Sequence, residues 1–243
     1  MPRPSQSQSR SSQRTRLDST GSAESVDESH HVANVVKTIL NLSINKAIIK
    51  RSDITTIALK SDNRLYNRVI SDALEVLRDV YGYELVDVEN KNQKSMILCS
   101  VLEPATFLEL NDSYRRKYTF LFIVLGYIFM KNGTVPESIL WEFLQTVGID
   151  EQREHSYFGD VQKLYESFIK QAYILRTKQS VEGMNEESIF ISWGARAQRE
   201  VSKKEVLHSM CEMLKRKPTD FKNQYIEAYG MESTENDETM DDE

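Results

Sequence analysis

Only two cysteines, five prolines, nine glycines and two tryptophans occur among the 243 residues, and each scarcity closes a class of answers. Cys99 and Cys211 lie far apart, so they supply neither a disulfide framework nor metal-ligand spacing. Two lone thiols suit a reducing compartment, nuclear or cytosolic. Long apolar runs are missing as well. The longest, residues 120–130, is about half of the roughly 20 residues that a membrane-crossing helix needs, so it is expected to be a core helix. Residues 1–28 hold Ser, Gln and Arg without an apolar segment, unlike a secretory leader. His155 and His208 have no acidic or cysteine partner at catalytic or ligand spacing, and His30 and His31 read as exposed linker or cap residues. The Lys131-Asn132-Gly133 run has no phosphate-cradling pattern. No catalytic residue, metal site or cofactor is expected, which leaves the surface to carry function.

What the chain does contain is unevenly spread charge. From Pro218 onward nine acids stand against Lys222, a local net of −8, so the rest nets +2 of the overall −6. The ends are polar and poor in apolar residues. Residues 1–30 are expected to form a disordered tail, and 218–243 an extension ending in an acidic tail.

Between the ends the same order of elements is legible twice, giving a mainly α fold with small β-hairpins in which two winged-helix units follow one another. The first unit, residues 31–103, opens with a helical stripe of Val32, Val35, Val36, Ile39, Leu40 and Leu42. A short helix capped by Ser52 or Asp53 is expected to follow, and then a longer one over 63–81 ended by Gly82. Alternating residues at 83–89 and 95–101 predict a hairpin. After a linker at 104–111, the second unit, 112–217, predicts helices at 114–130, 136–147 and 160–171, with a hairpin of 173–178 and 188–193. A single added helix is expected over 196–217. Trp141 and Trp193 fall on apolar faces and read as core anchors.

Three stretches carry a family resemblance: LFIVLGYIFMKNGTVPESILWEFLQTVGI at 121–149, HSYFGDVQKLYESFI at 155–169 and FISWGARAQREVSKKEVLHSM at 190–210. They resemble the melanoma-antigen (MAGE) homology domain, over about residues 32–217. Ser192 and Ala195 stand where that family commonly has Leu and Pro. The resemblance implies a tandem winged-helix protein without catalytic activity. In the ancestral branch of the family it implies a non-SMC element subunit of the Smc5-Smc6 chromosome-maintenance complex, acting in DNA repair. Such a subunit pairs with a RING-type ubiquitin ligase subunit and a kleisin, and meets the SMC proteins through the complex. Other branches attach to RING ligases and redirect their substrates.

Three surfaces follow as candidates. Ile39 and Leu40 match by position the family's adjacent-leucine ligase-binding motif, with Ile in place of the first Leu. One reading puts them at a groove for a partner segment, the other in the core; adjacent helix residues lie about 100° apart and cannot both be central. Arg196, Arg199 and Lys203 recur at spacings of three and four, with Lys204 beside them and Lys215, Arg216 and Lys217 beyond. Such cations bind duplex DNA phosphates without reading bases, or else form a solvated face with the interleaved Glu200, Glu205 and Glu212. Arg64 and Arg68 on the first unit's third helix are a second nucleic-acid candidate. The equivalent helix of the second unit, with Asp160, Lys163, Glu166 and Lys170, is balanced in charge and unsuited to sequence-specific readout.

Overall fold

A computed structural model describes residues 20–44, 48–88, 94–102, 111–180 and 187–230. Two units with matching topology make up the chain. In the first, helix α1 (Thr20–Leu42) leads through strand β1 (Ile49–Lys50) into helices α2 (Arg51–Leu59) and α3 (Asn63–Asp79), and the hairpin β2 (Tyr83–Val88) and β3 (Ser95–Ser100) follows. The second repeats this with α4 (Asp112–Met130), β4 (Thr134–Pro136), α5 (Glu137–Thr146), α6 (Val161–Lys170), β5 (Ile174–Ser180) and β6 (Glu187–Trp193). Their three-stranded antiparallel sheets have orders β1-β3-β2 and β4-β6-β5, so each short inter-helix strand adds to the outside of its hairpin's second strand. These two edge strands were not legible in the sequence, because two or three residues are too few to show alternation.

The helices form where apolar spacing and caps agree. Asp62 accepts from the backbone N–H groups of Arg64 and Leu65 at the start of α3, and Asp160 does the same for Lys163 at the start of α6. α3 then buries Tyr66, Val69, Ala73 and Leu77 against α1's Val35, Val36 and Ile39. Gly82 turns the chain out of α3 at φ +67, a conformation that costs glycine no Cβ clash. The second core is larger: α4 contributes Phe120, Leu121, Val124, Leu125, Ile128 and Phe129, and Trp193 seals it, its indole N–H donating to the Leu125 carbonyl at 2.9 Å. The apolar run is thus a core helix. No described helix is long and apolar enough to cross a membrane.

Several expectations need correction. α1 begins at Thr20, so part of the expected N-terminal tail is helical; residues 1–19 lie outside those described. The short second helix starts after Lys50 with no side-chain cap, since Ser52 and Asp53 already lie within its first turn. The single helix expected over 196–217 is two, α7 (Ala195–Glu200) and α8 (Lys203–Leu214), broken at Val201, whose extended backbone leaves Ser202 to cap α8. In the C-terminal extension, a 3₁₀ turn at Pro218–Asp220 leads into α9 (Lys222–Tyr229). Phe221, Tyr225, Ala228 and Tyr229 pack this helix onto the second core, and buried Gln224 donates to the carbonyls of Phe129 and Met130. Those apolar residues are spaced by three and four, but the surrounding acids masked them in a reading based on charge. Residues 231–243, the acidic end, lie outside those described.

Candidate partner and nucleic-acid surfaces

The two units meet along α7, which lies against β2 and β3 of the first sheet and against the second unit's hairpin. Ile97, Cys99 and Ala172 form a small buried cluster there, flanked by Ile48, Val86, Val88 and Ala195. Within the second unit Gly194 lets the start of α7 pass close to Ala172: a Cβ at this position would sit 2.2 Å from the Ala172 carbonyl oxygen. Arg196 fills the joint. It is 1% exposed, and its guanidinium donates to the Leu98 carbonyl of the first unit at 2.7 Å, to the Gln171 carbonyl of the second at 2.7 Å, and to Glu200 at 2.9 Å. Tyr173 holds the other oxygen of Glu200 at 2.5 Å; burial, and then the neighbouring carboxylate, push its phenol well above its ordinary pKa, so the hydroxyl stays a donor.

This corrects the expected cationic face. Arg196 cannot reach a phosphate, because its donors are committed to the joint. Arg199 is exposed but paired with Glu84 of the first unit. Lys203 bonds Glu227 on α9 at 2.6 Å and lies over the Trp193 ring, while Lys204 lies over the Tyr229 ring, 4.8 Å from its centroid. Lys215, Arg216 and Lys217 are exposed beyond α8, Lys215 in a left-handed cap. The periodicity that aligned these cations was sound only within each helix. The break at Val201 turns α8 away from α7.

On α1 the adjacent pair splits. Ile39 is fully buried, the core alternative, and is corrected as a partner contact. Leu40 is half-buried at the edge of the core, and Ile44, in the turn just past the end of α1, is 75% exposed, which adds an exposed apolar side chain beyond the helix end.

Two features escaped the sequence reading. The first is a cleft of about 530 Å³ between α5, α6 and the second hairpin, walled by Trp141, Tyr165, Ile189 and Pro136. Trp141 is half-buried: it packs against the second core and, ring to ring with Tyr165, also walls the cleft. Its polar rim is acidic: Glu137, Glu151 and Glu166, with Arg176 bonded to Glu137 at 2.6 Å and Glu166 at 2.9 Å. The second surrounds Arg64 and Arg68. Both are exposed on α3, where Arg68 pairs with Glu28 at 3.1 Å. Arg51, from the start of α2, lies over the Tyr66 ring at 4.3 Å and donates to Asn67 at 2.9 Å, and its backbone N–H donates to the Lys94 carbonyl. No sequence signal could join residues 51, 67 and 94, which the sheet and helix packing bring together.

His155 uses its Nδ1 to accept from the backbone N–H groups of Tyr157 and Phe158, and His208 bonds the Tyr229 hydroxyl. Among the described residues, no group of three or more His, Cys, Asp or Glu could hold a metal ion.

Comparison with known proteins places these surfaces in context. A family profile, the MAGE homology domain, matches residues 35–204. The mouse non-structural maintenance of chromosomes element 3 homolog is 34% identical over 207 residues, which cover 84% of this chain and 73% of that protein. Its human counterpart is 33% identical, covering 81% and 65%. Human melanoma-associated antigen D2 is 34% identical over 80% of this chain, which spans only 32% of that longer protein. Among solved structures, a chain of an Nse1-Nse3-Nse4 complex aligns at a TM-score of 0.71 with 31% identity, covering 84% of this chain and 98% of that one.

Proposed function

Since the chain belongs to the MAGE homology-domain family, we propose that it is a non-catalytic scaffold subunit of the Smc5-Smc6 complex, acting in the nucleus in DNA repair and chromosome maintenance. One observation carries the reading: the likeness to a chain of the Nse1-Nse3-Nse4 complex takes in nearly all of that chain, both winged helices included. In this role the chain holds a RING-type ubiquitin ligase subunit and a kleisin, reaches the SMC proteins through them, and contacts duplex DNA without sequence preference. Leu40 on α1 and Ile44 in the turn after it suit the ligase subunit, because a half-buried and an exposed apolar residue can be covered further by a partner without unfolding the core. Exposed lysines and arginines suit phosphates.

The test is to isolate the tagged chain from nuclei and identify its stoichiometric partners. SMC proteins, a kleisin and a RING subunit recovered together support the proposal. A RING ligase recovered alone, with no SMC protein and no retention on DNA, would replace it with the second reading, an adaptor that binds and stimulates a RING ligase away from chromatin. That reading has its own support in the equal identity to melanoma-associated antigen D2.

A further inference from the structure

The same topological face of the two winged helices differs in charge. Around α6 of the second unit, that face is the cleft rimmed by Glu137, Glu151 and Glu166, with Arg176 bonded to Glu137 and Glu166 and Lys163 tied to Asp160 at 2.8 Å, so its cations are already paired. Around α3 of the first unit it is cationic. Arg64, Asn67 and Arg68 lie on one exposed side of the N-terminal half of α3, and the acids Asp72, Glu75 and Asp79 are confined to its C-terminal half. Lys94 and Lys50, both exposed, join this side from the sheet: Lys94 meets Arg51 through the backbone, and Lys50 is paired with Ser95.

We infer that duplex DNA docks on the first unit, with Lys50, Arg51, Arg64, Asn67 and Lys94 as its phosphate contacts, and not on the second unit's α6 or on the joint. The inference rests on the reading of this chain as a duplex-contacting subunit and names the surface that does it. Three physical points carry it. Helix-turn-helix proteins approach the groove with the N-terminal residues of this helix, and here those residues are cationic while the acids lie at the far end. Arg51 is already held, stacked on Tyr66 and bonded to the Asn67 carbonyl oxygen, so little side-chain freedom is lost when its remaining N–H groups meet a phosphate. Because its Oδ1 takes this bond, the exposed Asn67 amide has its N–H groups to offer as further donors. Four acids lie nearby, Glu28 paired with Arg68, Asp62 at the α3 cap, Asp53 and Asp87, and Lys50, Arg51, Arg64, Arg68 and Lys94 outnumber them.

The test uses the full chain and a 30-base-pair duplex, read by fluorescence anisotropy from low to physiological salt. The triple variant Lys50→Ala/Arg64→Ala/Lys94→Ala should bind more than tenfold more weakly at low salt. The slope of log affinity against log salt should fall by roughly 2 to 3, close to one unit for each phosphate that is no longer neutralised. Lys215→Ala/Arg216→Ala/Lys217→Ala should stay within about twofold of wild type. The opposite pattern, with the first variant unchanged and the second weakened, would overturn the inference while leaving DNA contact intact. Absence of any duplex binding by the wild type removes the underlying reading as well. Binding of poly-glutamate as tight as that of the duplex at equal charge would assign the surface to an acidic protein and overturn the inference too.

Discussion

Replacing Arg196 with Met tests whether the joint or a nucleic acid is the reason for this arginine. Met fills similar volume but leaves the Leu98 and Gln171 carbonyls without their donor and Glu200 without its counter-charge in a site where Arg196 was 1% exposed. Removing one partner of a buried ion pair costs about 3–5 kcal/mol, and hydrogen bonds to a charged group about 1.5–3 kcal/mol each. Because these overlap, and Glu200 is partly solvated, the expected loss is about 3–4 kcal/mol, a large share of the roughly 5–15 kcal/mol that a domain possesses. Arg196→Lys should recover only part, since one ammonium cannot present the guanidinium's fork to acceptors on both units. Arg196→Met/Glu200→Gln should be less damaging than the single change, because the orphaned carboxylate is gone. Urea unfolding provides the assay. Trp141 and Trp193 both report on the second unit, whereas far-UV circular dichroism reports on both, so loosening the joint should separate the two transitions. If Arg196→Met stayed within about 1 kcal/mol of wild type, with the transitions coincident and duplex affinity lost, the structural role argued for this residue would be wrong.

Other expectations follow from the same geometry. Ile39→Asp should unfold the first unit, whereas Leu40→Asp should cost only about 1–2 kcal/mol, in keeping with its partial burial, and abolish capture of the RING subunit; equal thermal stability of the two variants would refute the division. Gly194→Ala should destabilise by at least about 2 kcal/mol because it meets backbone. Gly126→Ala meets only the flexible end of Met210 and should fall near zero once the gain of about 1 kcal/mol in helix propensity is counted; comparing the two melting temperatures checks this. Burial, and next the Glu137 carboxylate, raise the Tyr165 phenol pKa, as burial and Glu200 raise that of Tyr173. Raised folded-state values mean that this stability is intact below the ordinary tyrosine pKa near 10 and is lost as pH climbs beyond it. Absorbance at 295 nm should show these two phenols ionising only with unfolding, and early, reversible titration of all tyrosines would contradict that.

Much of the fold was written locally. The α3 stripe, Gly82 and the two hairpins each rest on residues a few positions apart, and all appear close to where periodicity and turn residues put them. The candidate surfaces were less legible. Spacing by three and four states which residues share a side of a helix, but not whether that side meets solvent, and it fails where a helix ends. Arg196 illustrates the first limit: its charge suggested exposure, yet the joint between the units supplies acceptors from residues 98 and 171 that no local pattern reveals. Val201 illustrates the second, since its extended backbone redirects α8.

Sequence alone determined the repeated order of three helices and a hairpin, because hydrogen bonding and side-chain period act over neighbours. Tertiary structure decided which cations stay free. Whether a guanidinium or ammonium faces water, a carboxylate or a buried carbonyl depends on what distant segments bring to within about 3 Å, where hydrogen bonds form. That is why Arg196 became an internal tie while Arg51, Asn67 and Lys94, distant in sequence, came to be joined by hydrogen bonds.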